Sequence, residues 1–397
     1  MQFAAAYGVK IWSLYFDAAM QHGNIPGTSI FVDVFPQPLR GGGVYVLTHA
    51  HSDHMAGLRK GWKIGFIHCT KGTAQLLTFR FGISSILRIH CLEVPFAIED
   101  PSNPKRHITG TFVDANHCPG AAMLVLEGFD DGPPIVNTGD FRFSSTMLHS
   151  HALRRVAKQG PRLYFDASCA HPKLAAIPTK SASIGMLHDV LDNHTTDNIL
   201  LHSHQIGDEE LLESVACSHN MLWFAADSED RFKELEITHH SFWMSKCRRL
   251  AQHGPGLPHI IIVKNARARQ TDPRLMDMHG GIEINCSVLW WAKSRMQMPV
   301  NEHDIEPVLK NGMWHVMLSH HSSLNEQRHF VAWLCPSSIK PICRSLLDDG
   351  DPCSWFSDVL GSHNSPDQLR VFESQIMPDD RPNSDSIDIM TSAQEIN

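Results

Sequence analysis

Behind an apolar run, Val44-Tyr45-Val46-Leu47, the chain reads Thr48-His49-Ala50-His51-Ser52-Asp53-His54. Imidazole nitrogen and carboxylate oxygen together suit zinc or a similar borderline metal. A strand ending at Leu47 would deliver His49, His51, Asp53 and His54 into one loop. Two ions could be held there if other ligands converge. With 27 His in 397 residues, so dense a pattern arises by accident in roughly one chain in a hundred or fewer. The loop therefore reads as a metal centre that activates water, against the alternative of a solvated His-rich turn.

Later positions repeat the arrangement of a polar ligand at the end of an apolar strand. His117 lies in Asp114-Ala115-Asn116-His117-Cys118-Pro119-Gly120, and Asp140 in Asn137-Thr138-Gly139-Asp140-Phe141-Arg142. Asp166 closes Leu163-Tyr164-Phe165-Asp166, His321 follows the run Met313–Leu318, and Asp33 sits near the end of the run 29–35. Any one of these alone would more often be a turn-capping Asp or a surface His. Ser322 and Ser323 invite a nucleophile reading, but no Gly-x-Ser-x-Gly supports it.

The elements that must position these groups are strands at 29–35, 44–47, 64–68, 111–114, 122–126, 135–137 and 163–165, several bounded by Gly, Pro or Asp. Beyond about residue 175 strands and helices alternate. Strands are expected at 198–202, 260–263, 313–318 and 339–343, with helices over 208–216 and from the His-Ser-Ser segment through about Leu334. From Asp348 onward Asp, Ser, Pro and Asn dominate, which predicts a disordered acidic tail over 348–397. Trp290-Trp291 reads as core in preference to a base-stacking platform, and His202, His204, His239 and His240 as surface or satisfied core residues.

Composition bounds the class. Hydrophobic residues make up 42% and charged residues 19%, as in ordinary folded chains of one or two domains. No apolar run is long enough to cross a bilayer, and Met1 to Met20 shows no clear signal peptide. Ten Cys without a CxxC pair point to reduced thiols in the cytosol or nucleus. A net charge of −8 disfavours wholesale nucleic-acid coating. It leaves room for local basic clusters at Arg59-Lys60-Lys63, Lys246-Arg248-Arg249 and Lys264-Arg267-Arg269.

The order HxHxDH, then Ala-Asn-His-Cys-Pro-Gly, then Thr-Gly-Asp-Phe-Arg resembles metallo-β-lactamase-fold nucleases, and the later Asp166 and His321-Ser322-Ser323 resemble their β-CASP branch. Within it the chain is similar, over about residues 25–345, to the interstrand-crosslink-repair DNA nucleases, with details leaning to the Apollo-like members over the Artemis-like ones. The resemblance implies an α/β fold, an αββα sandwich with an inserted β-CASP α/β domain. The expected order is an N-terminal extension (1–24), the first part of the metallo-β-lactamase domain (25–175), the insertion (176–299), and a return segment completing the metal site (300–347). His49, His51 and His117 would bind one ion, Asp53, His54 and His321 the other, with Asp140 bridging and Asp33 and Asp166 orienting ligands. One or two zinc ions are expected, with magnesium or manganese an option at one position. The implied activity is a metal-dependent 5′-to-3′ DNA exonuclease in crosslink repair or telomere-end processing. It would be nuclear, acting on single-stranded DNA or duplex ends beside telomere or repair proteins. A structure-specific endonuclease, a small-molecule hydrolase on the same fold and a weakened repair scaffold are the alternatives.

The chain departs from that pattern in places. The family's Tyr-Ser-Ile-Gly-Lys-Glu segment stands here as His204-Gln205-Ile206-Gly207-Asp208-Glu209. This puts Asp208, of the wrong sign for a 5′ phosphate, where the family's Lys helps form a basic pocket. His204 could restore part of the charge. His320 replaces an acidic residue before His-Ser-Ser. Cys343 occupies the position of a His in RNA-processing members and usually a Val in DNA members; as a small apolar residue it sides with DNA.

Overall fold

The computed structural model describes residues 23–360 apart from 37–41, 131, 204–205, 220, 240–244, 265–266, 277–279, 295–300 and 348–349. The expectations for residues 1–22, His204, His240 and the chain beyond Leu360 lie outside the described residues. The first sheet is parallel throughout, in the order β1 (Ile30–Val32), β2 (Val44–Val46), β3 (Ile67–Thr70), β4 (Leu87–His90). Helix α1 (Lys71–Phe81) links its last two strands; Thr70 caps its start and Gly82, in the left-handed region, ends it.

The second sheet contains β5 (Phe96–Glu99), β6 (His107–Asp114), β7 (Ala122–Glu127), β8 (Ile135–Asn137) and β9 (Arg162–Phe165), joined at its edge by β17 (Ser338–Pro341) in the order β17-β9-β8-β7-β6-β5. Alternation along these strands builds the layers. Ile30, Val32, Val44 and Val46 from the first sheet share one buried cluster with Phe112, Leu124, Leu126 and Ile135 from the second. Phe31, Tyr45 and Ile67 face the other way, onto Leu76 and Leu77 of α1. Met123, Val125 and Leu163 face outward onto α2 (His151–Ala157) and onto α7 (Leu324–Leu334), through Leu153, Phe330 and Leu334. The layers therefore run helix, sheet, sheet, helix, in an α/β architecture.

The third sheet holds β10 (Ile199–His202), β11 (Leu222–Phe224), β12 (Cys247–Arg249), β13 (Ile260–Val263), β14 (Ile282–Cys286), β15 (Val308–Lys310) and β16 (Met313–Val316), ordered β12-β11-β13-β10-β14-β16-β15. Only β15 is antiparallel to its neighbour. Helices α3 (Lys180–Asp192), α4 (Glu209–His219) and α5 (Glu229–Thr238) supply Leu187, Leu212 and Phe232 to its main core. The short α6 (Val288–Lys293) follows β14.

Two boundaries differ from the sequence reading. The strand expected at 313–318 in the return segment (β16), together with β15, which was not expected, is hydrogen-bonded into the seven-stranded sheet, so the chain rejoins the second sheet only after Val316. The ordered chain also continues past 348, through a turn at 352–356 to α8 (Ser357–Leu360). Phe356 is wholly buried, edge-on to Phe165 with ring centroids 5.1 Å apart, so one aromatic residue overrides the polar composition around it. No helix among the described residues is long and apolar enough to cross a membrane. None of the ten cysteines is in a disulfide. Phe356→Ala is expected to cost about 3–5 kcal/mol of stability in denaturant unfolding. A change within about 0.5 kcal/mol would mean the segment does not dock.

Candidate metal centre

Each candidate ligand leaves the carboxyl end of a strand. β1 runs into Asp33, β2 into the His49–His54 loop, β6 into His117, β8 into Asp140, β9 into Asp166 and β16 into His321. Asp33 holds a left-handed backbone (φ 57°), which turns its carboxylate back toward Thr48. Gly139 (φ 51°) lets the β8 turn touch that same Thr48, since a Cβ there would lie 2.6 Å from the Thr48 Oγ1.

The hydrogen bonds fix which nitrogen each imidazole turns inward, because a ring nitrogen facing a carbonyl or carboxylate must carry the hydrogen. His51 Nε2 donates to the Ile206 carbonyl (2.7 Å), and His117 Nδ1 to the His320 carbonyl (2.7 Å). His54 Nδ1 donates to Asp33 (2.8 Å), and His321 Nδ1 to Asp166 (2.7 Å). The Thr48 hydroxyl gives its one hydrogen to Asp33 (2.7 Å), so it accepts from His49 Nδ1 (3.0 Å). His49, His51 and His117 therefore turn an unprotonated nitrogen toward the centre, and His54 and His321 turn their Nε2 toward it.

On one side His49 Nε2 and His117 Nε2 stand 3.0 and 3.1 Å from His51 Nδ1. With the hydrogens committed outward, these are lone pairs facing lone pairs, an arrangement that a cation relieves. The Asp140 carboxylate lies between the two halves. Its Oδ2 is 3.6 Å from His49 and 3.7 Å from His117, and its Oδ1 is 3.2 Å from His54 Nε2. Asp53 Oδ2 stands 3.8 Å from His54 Nε2 on an exposed side chain at the mouth. The groups able to hold an ion are His49-His51-His117-Asp140, Asp53-His54-Asp140, Asp140-Asp166-His321 and Asp33-His49-His54. All nine residues singled out by sequence meet here, and their donor set fits one or two borderline divalent ions.

The halves differ electrostatically. Burial, and the neighbouring imidazoles, push His49 and His117 well below the usual His range; burial takes His51 to about 4. Burial also opposes charge on His54 and His321. There Asp140 and Asp33 outweigh it for His54, which is raised well above its ordinary value, and Asp166 and Asp140 outweigh it for His321, raised to about 9. Burial likewise works against the Asp166 carboxylate, yet His321 holds it below its ordinary range.

Several partners were not singled out by sequence. Arg142, buried, donates to Glu326 (3.0 Å) and to the carbonyls of Ser319, His321 and Pro178, pinning the loop that carries His321. Glu326 is also the reciprocal cap of α7 with Ser323. The only signal for Arg142 was its place two residues after Asp140. Ser322 accepts from the Phe143 amide and donates to the Phe141 carbonyl, a structural role in keeping with its rejection as a nucleophile.

The departures take on physical meaning here. Asp208 is no bare anion: its carboxylate receives His320 Nε2 (2.9 Å) and the Ser203 hydroxyl (2.8 Å), so the two unusual residues are hydrogen-bond partners. The Cys343 thiol lies 3.5 Å from Asp166 Oδ1 and accepts the Ala167 amide at 3.3 Å, a polar role beyond that of an apolar filler. His202 meets Glu283 (3.2 Å), Trp291 is buried, and Trp290 stacks on His315 at 3.8 Å. Arg59, Lys60 and Lys63 are exposed, whereas Arg249 pairs with Glu229 and Arg269 with Glu283.

No family model matches the chain. Among curated proteins it is 29% identical over 335 residues to the DNA cross-link repair protein SNM1 of Arabidopsis thaliana, covering 80% of this chain and 64% of that protein. It is 27% identical over 342 residues to the 5′ exonuclease Apollo of Gallus gallus (83% and 64%), and 24% identical over 340 residues to the protein artemis of Mus musculus (79% and 46%). A solved protein of unknown function from Enterococcus faecalis superposes with TM-score 0.49 at 12% identity over 77% of this chain and 76% of its own, too slight a likeness to carry an argument. Fold and site define an α/β protein built around a His/Asp cluster able to hold metal. Over about four fifths of its length the chain is similar to the SNM1, Apollo and Artemis proteins. It spans 64% of the length of the SNM1 and Apollo relatives named, just under two thirds.

The raised pKa of His321 gives two expectations. In the metal-free chain its contribution to stability is complete below the ordinary His value of 6.5 and is lost as pH rises through about 9. At pH 7 an ion entering the His54/His321 half must displace protons, whereas the neutral His49/His51/His117 half has none to give. Calorimetric zinc titration at pH 7 is expected to depend on the buffer's ionisation enthalpy, and to lose most of that dependence in His54→Asn, His321→Asn. Equal dependence in both would contradict the assignment.

Proposed function

We propose that this chain is a metal-dependent DNA phosphodiesterase, working as a 5′-to-3′ exonuclease in interstrand-crosslink repair or telomere-end processing in the nucleus. The observation that carries the reading is the set of inward nitrogens on either side of Asp140, with every outer N–H already committed. His49, His51 and His117 would hold one ion and Asp53, His54 and His321 a second, with Asp140 placed between the two sets. Zinc suits these donors, with magnesium or manganese able to serve one position. Ions there supply Lewis acidity toward a phosphodiester and lower the pKa of water.

The chain's own groups do the rest. Asp33 and Asp166 hold His54 and His321 in the tautomer that faces inward. The exposed Asp53 carboxylate is placed to accept a proton at the mouth. Arg59, Lys60 and Lys63, in the loop that follows His54, present positive charge to a phosphate backbone. The helix–sheet–sheet–helix layers support a metallo-β-lactamase sandwich, and the seven-stranded sheet supports an inserted β-CASP domain that walls the groove. The names of the relatives agree with this reading.

End-labelled single-stranded DNA, with and without a 5′ phosphate, tests it beside an Asp53→Ala, His54→Ala control. A ladder growing from the 5′ end and absent in the control is expected. Internal cuts would favour an endonuclease, and no cleavage by zinc-loaded protein would overturn the nuclease. Replacing Arg59, Lys60 and Lys63 together by Ala is expected to reduce the salt dependence of DNA binding by about 2–3 in slope. An unchanged slope would place the DNA elsewhere.

A further inference from the structure

The His49-Ala50-His51 segment is held from both ends by a path of hydrogen bonds that closes through one turn of α5 and the Ile206–Gly207 peptide. Arg80, near the end of α1, donates to the Ala50 carbonyl and, from Nε, to Glu234 Oε1 at 2.9 Å. Glu234 lies on α5, one turn from Arg231. Arg231 donates to Glu209 Oε1 at 2.6 Å, and Glu209 Oε2 accepts the Gly207 amide at 2.6 Å. Gly207 follows Ile206, whose carbonyl accepts from His51 Nε2 at 2.7 Å. The path thus leaves the chain at Ala50 and returns at His51, having passed through α5 and the β10–α4 turn of the seven-stranded-sheet unit.

Both ion pairs are shielded: Arg231 and Glu209 are 2% and 9% exposed, and Arg80 and Glu234 are 22% and 10% exposed. A buried ion pair is weak evidence for stability, because desolvation offsets most of its attraction and an apolar pair of similar volume often serves as well. What an apolar pair cannot do is donate to the Ala50 carbonyl.

We infer that Arg80, held by Glu234, is a positioning residue that fixes the backbone between His49 and His51, and so ties the metal geometry to the docking of α5. The inference rests on the metal reading above. Rotation of the Ala50 peptide would swing both neighbouring imidazoles, while Ile206 holds only one of them.

The test uses the full chain and cobalt(II) alone, read by visible absorption and by competition with a chromophoric chelator. In Arg80→Met, Glu234→Leu, which removes both charges together, the melting temperature is expected to stay near that of the unmutated chain. Cobalt affinity should fall about 10- to 100-fold, as for loss of groups that orient ligands, and the d–d bands should shift. Arg80→Lys, which keeps the charge but loses the fork, is expected to restore only part of the affinity. An unaltered spectrum and affinity in the double variant would overturn the positioning role. A cobalt spectrum absent from the unmutated chain would instead overturn the metal reading, a distinguishable failure.

Discussion

An imidazole can offer a metal only the nitrogen that its own N–H leaves free, so a centre built from His depends first on where the outer hydrogens go. Here they go to the carbonyls of Ile206 and His320, the Thr48 hydroxyl, and the carboxylates of Asp33 and Asp166. Burial, with the neighbouring imidazoles, keeps the first three imidazoles neutral, while Asp140 together with the two carboxylate acceptors raises the other two against burial. Where the acceptor is a carbonyl or hydroxyl, nothing there offsets burial enough to charge the imidazole, and it is ready for a cation. Where it is a carboxylate, the imidazole is drawn toward its protonated form, and a metal must compete with that proton.

The seven-stranded sheet enters this arrangement through its backbone. The turn after β10 supplies the Ile206 carbonyl, and the segment after β16 supplies the His320 carbonyl and then His321 itself. Arg142, reaching from the β8 turn to the carbonyls of Ser319 and His321, holds that segment against the second sheet. The unit that flanks the site is therefore part of the cluster's geometry, and its strands open toward it at their carboxyl ends, where open parallel sheets place their ligands.

The clustering of the candidate residues was legible because each follows a short apolar strand within a few residues, and strand ends are local features. The strands at 135–137 and 260–263 coincide with the expectation for the same reason: they are continuous apolar runs. Backbone acceptors such as Ile206 and His320 carry no side-chain signature and could not be read. α1, Lys-Gly-Thr-Ala-Gln-Leu-Leu-Thr-Phe-Arg-Phe, has too weak an apolar stripe to announce itself, and α5 is largely charged because Arg231 and Glu234 are buried as ion-pair partners. β4, Leu-Arg-Ile-His, was missed because its residues are largely exposed. Asp208 and His320, 112 residues apart, look like two separate losses until the fold pairs them.

The central claim is that the five imidazoles and Asp140 define two cation positions. Anomalous diffraction at the zinc edge, from crystals of the full chain grown with zinc, tests it most directly. The account predicts a peak bonded to His49 Nε2, His51 Nδ1 and His117 Nε2, and a second bonded to His54 Nε2, His321 Nε2 and Asp53, with Asp140 between them. No peak in this cluster, or coordination of His51 through Nε2 with its bond to Ile206 broken, would contradict it.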